Sequence, residues 1–230
     1  MIEIINDDCR NVIKNIDKSK SIIVTDPPFN IGYHYGTYAD NLPEQEYYDM
    51  LREILVDVPS AVIHYPESLY KIAIALNEAP QKVVTWCYNS NTAKQYRDIA
   101  FFKIKPDFTK VKQPYKNPND KRIKERIAKG CMGGRLYDWW NINQVKNVSS
   151  VKTKHPCQMP LQVMLNIIGI LPKGYTIVDP FCGSGTTGVA CKILKRDFIG
   201  IEIDKEYYEI SKNRIEETEI DEKQLELFEI

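Results

Sequence analysis

Two short stretches of the chain place acidic side chains beside residues that shape a tight backbone turn. Residues 25–30 read TDPPFN, and the two prolines remove two backbone N–H donors, so this turn presents acceptor oxygens. Asp26 and the carbonyl of Pro27 can each accept a hydrogen from an amino group, while Phe29 offers a face to a flat ring. The stretch therefore predicts a site for the amino group of a nucleobase. An ordinary strand-ending turn with a solvated Asp is the alternative.

The second stretch is a glycine-rich loop, DPFCGSGTTG at residues 179–188. It follows a predicted strand and opens a predicted helix, and Glu202 lies 17 residues beyond Gly185, so it meets the pattern of a dinucleotide-binding site. An NAD-binding oxidoreductase is therefore the first hypothesis to weigh. Asp179 argues against it, because a carboxylate beside the N-terminus of a helix repels a pyrophosphate.

S-adenosylmethionine (SAM) fits the same loop without that conflict. It has an ammonium group for Asp179, a ribose diol for Glu202, and a carboxylate for the helix N-terminus and the hydroxyls of Thr186 and Thr187, but no phosphate. The glycines would let the backbone approach the ligand closely. The loop therefore favours SAM as the cofactor.

Alternating strand and helix patterns position both stretches. β-branched apolar runs predict strands at residues 2–5, 21–24, 61–65, 81–88, 176–178 and 198–203. Helical spacing predicts helices at residues 43–57, 67–78, 161–171, 186–194 and 205–219. This alternation indicates an α/β fold with a largely parallel sheet, and the turns at the strands' carboxyl ends would carry the chemistry. Asp8 follows the first strand and could accept from a ligand's amino group, although by itself it is better explained as a helix N-cap.

Charge is balanced overall, with 31 basic and 31 acidic residues, but it is unevenly distributed. Residues 94–129 hold 12 Lys/Arg against 4 Asp/Glu, and residues 202–230 hold 4 against 11. The basic stretch is interleaved with aromatic side chains, as nucleic-acid surfaces are. We interpret residues 89–150 as an insertion that grips the substrate, within a single domain spanning residues 1–230, and residues 220–230 as an acidic tail. Trp139 and Trp140 are expected to be buried against the sheet.

Taken together, the DPPF and DPFCGSGTT stretches resemble the amino-methylating DNA methyltransferases, which methylate an exocyclic amino nitrogen of adenine or cytosine with SAM. The order of an N-terminal DPPF, a basic middle region and a C-terminal glycine loop is similar to the permuted β class. HPCQMP at residues 155–160 and GIEID at residues 200–204 add to the resemblance, which covers most of the chain. It implies a circularly permuted, Rossmann-like methyltransferase sheet with a small irregular DNA-recognition insertion.

The resemblance also implies roles for individual residues. Its catalytic motif corresponds to Asp26, Pro27, Pro28 and Phe29, with Asp26 and the Pro27 carbonyl holding the amino group of a flipped base and Phe29 stacked on its ring. Its cofactor site corresponds to Asp8, His155, Asp179, Phe181, Gly183, Ser184, Gly185, Thr186 and Glu202. Two positions depart from the family pattern: Phe29 replaces the commoner Tyr, and Met159 replaces the Lys of many relatives.

Adenine in double-stranded DNA is the expected target, because cytosine-modifying members more often carry Ser at the position of Asp26. N4-cytosine methylation is the main alternative, and an NAD-binding oxidoreductase or a non-catalytic DNA-binding relative are remote ones. Homodimers are common in this class, but the sequence has no decisive interface signal. The polar, aromatic loop at residues 31–41 is interpreted as a lid over a flat ring or as a disordered surface loop.

The six cysteines include no C-x-x-C pair, so neither a zinc site nor a disulfide framework is predicted, and reduced thiols in a cytoplasmic protein are expected. No signal peptide or membrane span is expected. The tail reads QLELF and resembles the pentapeptide that binds the bacterial sliding clamp, with Gln224, Leu225, Leu227 and Phe228 as its anchors. A final amphipathic turn that packs on the parent domain is the alternative.

Overall fold

A computed structural model describes residues 1–35, 38–131, 133–145, 152–220 and 226–228. Its strands are β1 (Ile2–Asn6), β2 (Ser21–Thr25), β3 (His34–Tyr35), β4 (Tyr38–Ala39), β5 (Ser60–His64), β6 (Lys82–Cys87), β7 (Tyr96–Phe102), β8 (Lys112–Gln113), β9 (Gly134–Arg135), β10 (Trp139–Asn141), β11 (Thr176–Asp179) and β12 (Phe198–Glu202). Its helices are α1 (Cys9–Val12), α2 (Glu44–Leu55), α3 (Pro66–Leu76), α4 (Lys121–Ala128), α5 (Leu161–Gly169), α6 (Thr186–Ile193) and α7 (Lys205–Glu216).

The central sheet contains eight strands within the described ranges, in the order β1-β12-β11-β2-β5-β7-β6-β10. Strand β7 runs antiparallel to β5 and β6, and the other neighbouring pairs are parallel. The predicted α/β fold with a largely parallel sheet is confirmed.

Both faces of the sheet are covered, which explains why its central strands are continuous apolar runs. Ile22 and Val24 of β2 pack into one core cluster with α5 and α6, whereas Ile23 packs into the other with α2 and α3. The alternation follows from the two-residue period of a strand. The sheet is therefore held rigidly between two helical layers, and so are the turns at its edge.

The carboxyl ends of β1, β12, β11 and β2 meet at one edge, since these strands are parallel neighbours. Asn6 lies opposite Glu202, and Asp179 lies opposite Gly200. Asp26 immediately follows β2. Acidic residues far apart in the sequence are thus brought to the same edge.

Residues 89–150, which were predicted to form an irregular insertion, contribute the strands β7 and β10 to the central sheet. Strand β7 begins with the polar residues YRD, so the apolar run at its end was not recognised as part of a strand. Trp140 is buried, as predicted. Trp139 is 48% exposed, contrary to prediction, because successive residues of a strand point to opposite faces.

The C-terminal anchors Leu227 and Phe228 contact the parent domain. Phe228 forms an antiparallel bridge with Val111 and is 8% exposed, and the Lys112 amide donates to the Leu227 carbonyl at 2.7 Å. A side chain at Gly169 would collide with the Phe228 ring. The other two proposed anchors, Gln224 and Leu225, lie outside the described residues. Across the described ranges, no helix is long and apolar enough to cross a membrane.

Candidate active site

A cavity of about 330 Å³ opens at the carboxyl edge of the sheet. Its lining includes every predicted site residue except Gly185: Asp8, Asp26, Pro27, Pro28, Phe29, His155, Asp179, Phe181, Gly183, Ser184, Thr186 and Glu202. Tyr33 and Tyr38 of the predicted lid loop line it as well, and Gly36 and Thr37 of that loop lie outside the described residues. The structure therefore brings both motifs of the sequence to one pocket.

The DPPF turn is fixed from behind by two buried side chains. The Tyr65 amide donates to His64 Nδ1 at 2.8 Å, so the ring proton of His64 is on Nε2, which lies 2.9 Å from the Tyr47 hydroxyl. Tyr47 then donates its own proton to the Pro28 carbonyl at 2.7 Å. Burial lowers the pKa of His64 to about 3, so this chain of hydrogen bonds has a single arrangement at neutral pH.

Asp40 organises the loop that follows. Its carboxylate is 2% exposed and accepts from the amides of Asn30, Ile31 and Tyr33, at 2.7, 3.1 and 3.2 Å. Three amide donors stabilise a buried carboxylate. The start of the loop is therefore ordered, which the alternative of a disordered surface loop did not anticipate.

Asp26 lines the pocket beside Arg97 of β7. Its Oδ2 is 3.5 Å from Arg97 Nη1, while its Oδ1 is buried and accepts no hydrogen bond from the described residues. Burial raises the pKa of Asp26 to about 6, although Arg97 acts in the opposite direction. Asp26 is thus a buried acceptor with one oxygen directed at no donor, which suits an incoming N–H group.

Two glycines of the loop adopt a positive φ. Gly183 has φ +53° and lies against the His155 ring, whose Nε2 is 2.9 Å from where a Cβ would stand. Gly185 has φ +77°, and a Cβ there would lie 2.9 Å from the Ser211 Cβ of α7. Gly183 therefore allows the loop to pack against His155, and Gly185 allows it to pack against α7 instead of lining the cavity.

Two buried carboxylates hold the glycine loop in place. Asp179 accepts from the Thr187 hydroxyl at 2.5 Å and the Phe181 amide at 3.2 Å. Glu202 accepts from the amides of Gly183 and Asp204, at 2.7 and 2.9 Å. Burial raises the pKa of Asp179 to about 6 and also raises that of Glu202. Each acid thus supports the loop as well as facing the cavity.

Arg214 of α7 places a cation beside the start of α6. Its Nη1 donates to the Ser184 carbonyl at 2.9 Å and to the Thr186 hydroxyl at 2.8 Å. The Thr186 hydroxyl in turn donates to the Met159 carbonyl at 3.2 Å. This cation adds to the positive end of the α6 dipole, where an anionic ligand group would be stabilised.

Asp8 and His155 both line the cavity. Asp8 caps α1 by accepting from the Arg10 amide at 2.9 Å, and it also pairs with the Arg10 side chain at 2.6 Å, which lowers its pKa. The N-cap role is therefore present, and Asp8 faces the cavity as well. His155 meets Tyr207 edge-on at 4.6 Å, and burial lowers its pKa to about 4, so its ring is neutral at pH 7.

Several residues that shape this site were not predicted from the sequence. Arg97 was interpreted with its basic neighbours as part of the DNA-contacting segment, and Tyr47 was interpreted as a core position of a helix. Arg214 carries no signal in the sequence. His64 could have been found, because it ends β5, the parallel neighbour of β2, at the same edge as Asp26.

The charges lining the cavity distinguish between candidate ligands. Among the lining residues that the structure describes, two arginines, Arg10 and Arg97, stand against six acids: Asp7, Asp8, Asp26, Asp179, Glu202 and Asp204. A pyrophosphate would be repelled here, whereas a cationic ligand with hydroxyl and amino donors fits. The charges that line the cavity therefore suit SAM better than a dinucleotide.

Comparison with known proteins identifies the relatives of this chain. The pattern of a family described as DNA methylase matches residues 21–213. The type II methyltransferase M.HpaI of Haemophilus parainfluenzae is 30% identical over 238 residues, covering 90% of this chain and 73% of that protein. M.BglII of Bacillus subtilis is 28% identical over 245 residues, covering 91% and 67%.

Solved structures show the same architecture. The M1.HpyAVI–SAM complex is 26% identical with a TM-score of 0.58, covering 93% of this chain and 100% of that one. The cytosine-N4-specific PvuII DNA methyltransferase has a TM-score of 0.69 over 98% of this chain and 90% of its own, at 16% identity. At that identity the second similarity concerns the fold alone.

Proposed function

This chain belongs to the DNA methylase family that modifies the N6 of adenine or the N4 of cytosine, and from this premise we propose that it methylates N6 of a flipped adenine in double-stranded DNA. SAM is the cofactor, and it supplies a methyl group activated by the positive charge on its sulfur. One observation carries the proposal. Asp26, whose Oδ1 has no hydrogen-bond partner among the described residues, lines the same cavity as the glycine loop.

Asp26 activates the amino nitrogen by accepting one of its hydrogens. The lone pair of an exocyclic amino group is delocalised into the ring, so the nitrogen is a poor nucleophile until acceptors draw its hydrogens out of the ring plane. As the new N–C bond forms, the bond between the methyl group and the SAM sulfur would break and release a neutral thioether; the nitrogen then carries the positive charge, which the nearby carboxylate stabilises. The Asp26 carboxylate then takes the proton that the methylated nitrogen loses.

The ionisation of Asp26 suits this role. With a pKa of about 6, the carboxyl is mostly an anion at neutral pH, and burial makes its interaction with a developing cation stronger than it would be in water. The Tyr47–Pro28 hydrogen bond positions the turn so that the target nitrogen can be held in line with the methyl group.

The target base must leave the helix to reach this pocket. Flipping costs on the order of a few kcal/mol, which phosphate contacts and stacking on aromatic side chains offset. The basic residues between 103 and 138, outside the central sheet, are the proposed source of the phosphate contacts. Phe29, which packs against Tyr65 at 4.9 Å and His64 at 4.4 Å, is the proposed stacking ring.

Adenine is proposed over cytosine on the identity of Asp26 alone, which the resemblance associates with adenine. Homodimerisation stays a prediction, and sedimentation of the purified protein tests it. Clamp binding also stays a hypothesis, and the burial of Phe228 means that the tail would have to leave the domain first. Clamp binding that persists in a Leu227→Ala plus Phe228→Ala variant would contradict that hypothesis.

The function is tested by mass spectrometry of nucleosides from duplex DNA of varied sequence, incubated with SAM and purified protein. We expect 6-methyladenine with the wild type and none with Asp26→Ala. Asp98→Asn is the matched control, because Asp98 lies outside the cavity. In the wild type the Thr85 hydroxyl donates to Asp98 Oδ1 at 2.7 Å, and the amide oxygen of Asn can accept the same hydrogen bond. Formation of 4-methylcytosine instead would refute the choice of base, and absence of both products would refute the proposed activity.

A further inference from the structure

Arg97 is a buried cation whose guanidinium is held in a box of four aromatic rings. Its Cζ lies 4.6 Å from the centroid of Phe29, 5.5 Å from Trp86, and 5.9 Å from both Tyr65 and Tyr88. Trp86 is also its direct cross-strand partner between β6 and β7. Cation–π contacts strengthen when the cation is desolvated, so the rings fix the guanidinium in place.

The pairing between this cation and Asp26 is incomplete. The closest approach is 3.5 Å, the side chains of Arg97 and Asp26 are 14% and 17% exposed, and Arg97 Nε, like Asp26 Oδ1, is buried without a hydrogen-bond partner among the described residues. An ion pair that mainly stabilised the fold would be shorter, and two N–H groups of the guanidinium would donate to the two carboxylate oxygens. The geometry instead leaves Asp26 free to accept a further hydrogen while a positive charge stays close.

We propose that Arg97 is a positioning residue that keeps Asp26 ionised in a buried pocket and supports Phe29 beneath the target base. This inference rests on the proposed role of Asp26 as the acceptor of the amino group. Burial alone favours the neutral carboxylic acid, which would donate a proton where an acceptor is needed. A cation 3.5 Å from Oδ2 favours the anion while Oδ1 keeps no hydrogen-bond partner among the described residues.

The other groups around Asp26 do not supply this charge. Asp179 on β11 is an acid whose own pKa is raised in part by the nearby Asp26, so it supplies no positive charge. Tyr47 on α2 and Tyr88, directly after β6, have phenols whose pKa values are raised, chiefly by burial, so they are neutral in this pH range. His64 on β5 is neutral because burial lowers its pKa. Among the described neighbours, Arg97 is thus the cation that acts on Asp26.

The test is the pH dependence of single-turnover methylation in full-length Arg97→Met, Arg97→Gln and Arg97→Lys proteins, with KM for DNA measured separately. An opposite charge within about 4–6 Å lowers a carboxyl pKa by roughly one to three units, so the acidic limb should move up by at least about one pH unit in the two neutral variants. It should stay near the wild-type position in Arg97→Lys. KM for DNA should change much less than the turnover rate at pH 7.

A direct readout is the carbon-13 titration of the Asp26 carboxyl, assigned by its absence in Asp26→Asn so that Asp179 is not mistaken for it. Arg135→Met, an exposed arginine of β9, is the matched control and should leave that titration unchanged. If Arg97→Met or Arg97→Gln folds and the acidic limb of its pH–rate profile does not move, the inference is overturned. If the neutral variants do not fold, a limb that shifts by a unit or more in Arg97→Lys overturns it as well.

The two proposals fail in distinguishable ways. Full activity in Asp26→Ala would remove the proposed role of Asp26, and the role of Arg97 with it. An inactive Asp26→Ala together with unshifted profiles in the Arg97 variants would leave the proposed function standing and refute only this inference.

Discussion

Replacing Tyr47 by Phe tests whether the DPPF turn depends on the buried hydrogen bonds behind it. The change removes one oxygen atom and keeps the ring, which is 1% exposed in the core. It breaks the 2.7 Å bond to the Pro28 carbonyl and the 2.9 Å bond to His64 Nε2. His64 Nε2 is then left buried, and the Pro28 carbonyl half-buried, without this hydrogen bond.

The expected loss follows from those two groups. A buried polar group that loses its partner costs about 1–3 kcal/mol, and the Pro28 carbonyl is only half-buried, so the two losses together imply a fall of about 2–4 kcal/mol in the free energy of unfolding. For a chain of this size that corresponds to a decrease of roughly 5–15 °C in Tm. Because the turn also loses its support, the methylation rate at a temperature where the variant is folded should fall on the order of tenfold to a hundredfold.

Urea denaturation gives the change in stability, and single-turnover methylation gives the change in rate. Tyr48→Phe is the matched control, because the Tyr48 ring packs edge-on against Tyr47 at 5.1 Å without contacting the turn through those bonds. A Tyr47→Phe protein within about 0.5 kcal/mol of the wild type, with an unchanged rate, would refute this account of the turn.

Two further predictions concern the glycine loop and the buried acids. Gly185→Ala should lower the free energy of unfolding by about 2–4 kcal/mol in urea denaturation, because its Cβ would collide with Ser211. The control Gly174→Ala, at φ +84° in open space, should cost only about 1 kcal/mol. Equal losses in the two variants would contradict the steric argument. Since the folded-state pKa of Asp26 is raised, from 3.8 to about 6, its contribution to stability is present at low pH and is lost as pH rises from about 4 through 6, while methylation rises over the same range. Asp26→Asn should flatten that part of the stability–pH curve, and an unaltered slope would show that Asp26 is not the titrating group.

Local sequence determined the motifs and most of the elements around them. The apolar runs that became β2, β5 and β11 are buried on both faces, so their period and composition follow directly from the packing. The acidic residues that follow such strands could be assigned to one edge from the rule for parallel sheets. The charge of Asp179 was sufficient to favour SAM over a dinucleotide, and the cofactor prediction is confirmed.

The tertiary structure decided what the linear pattern could not express. Strand β7 was not predicted, because its first residues are polar. The role of Arg97 on that strand was therefore not predicted either, since the side chains around it come from β6 and the DPPF turn. The supporting roles of Tyr47 and Arg214 depend on partners 19 and 30 residues away. Local sequence fixes which residues can accept, donate or turn the chain, but a buried pKa or a hydrogen bond depends on distances that exist only after the sheet has assembled.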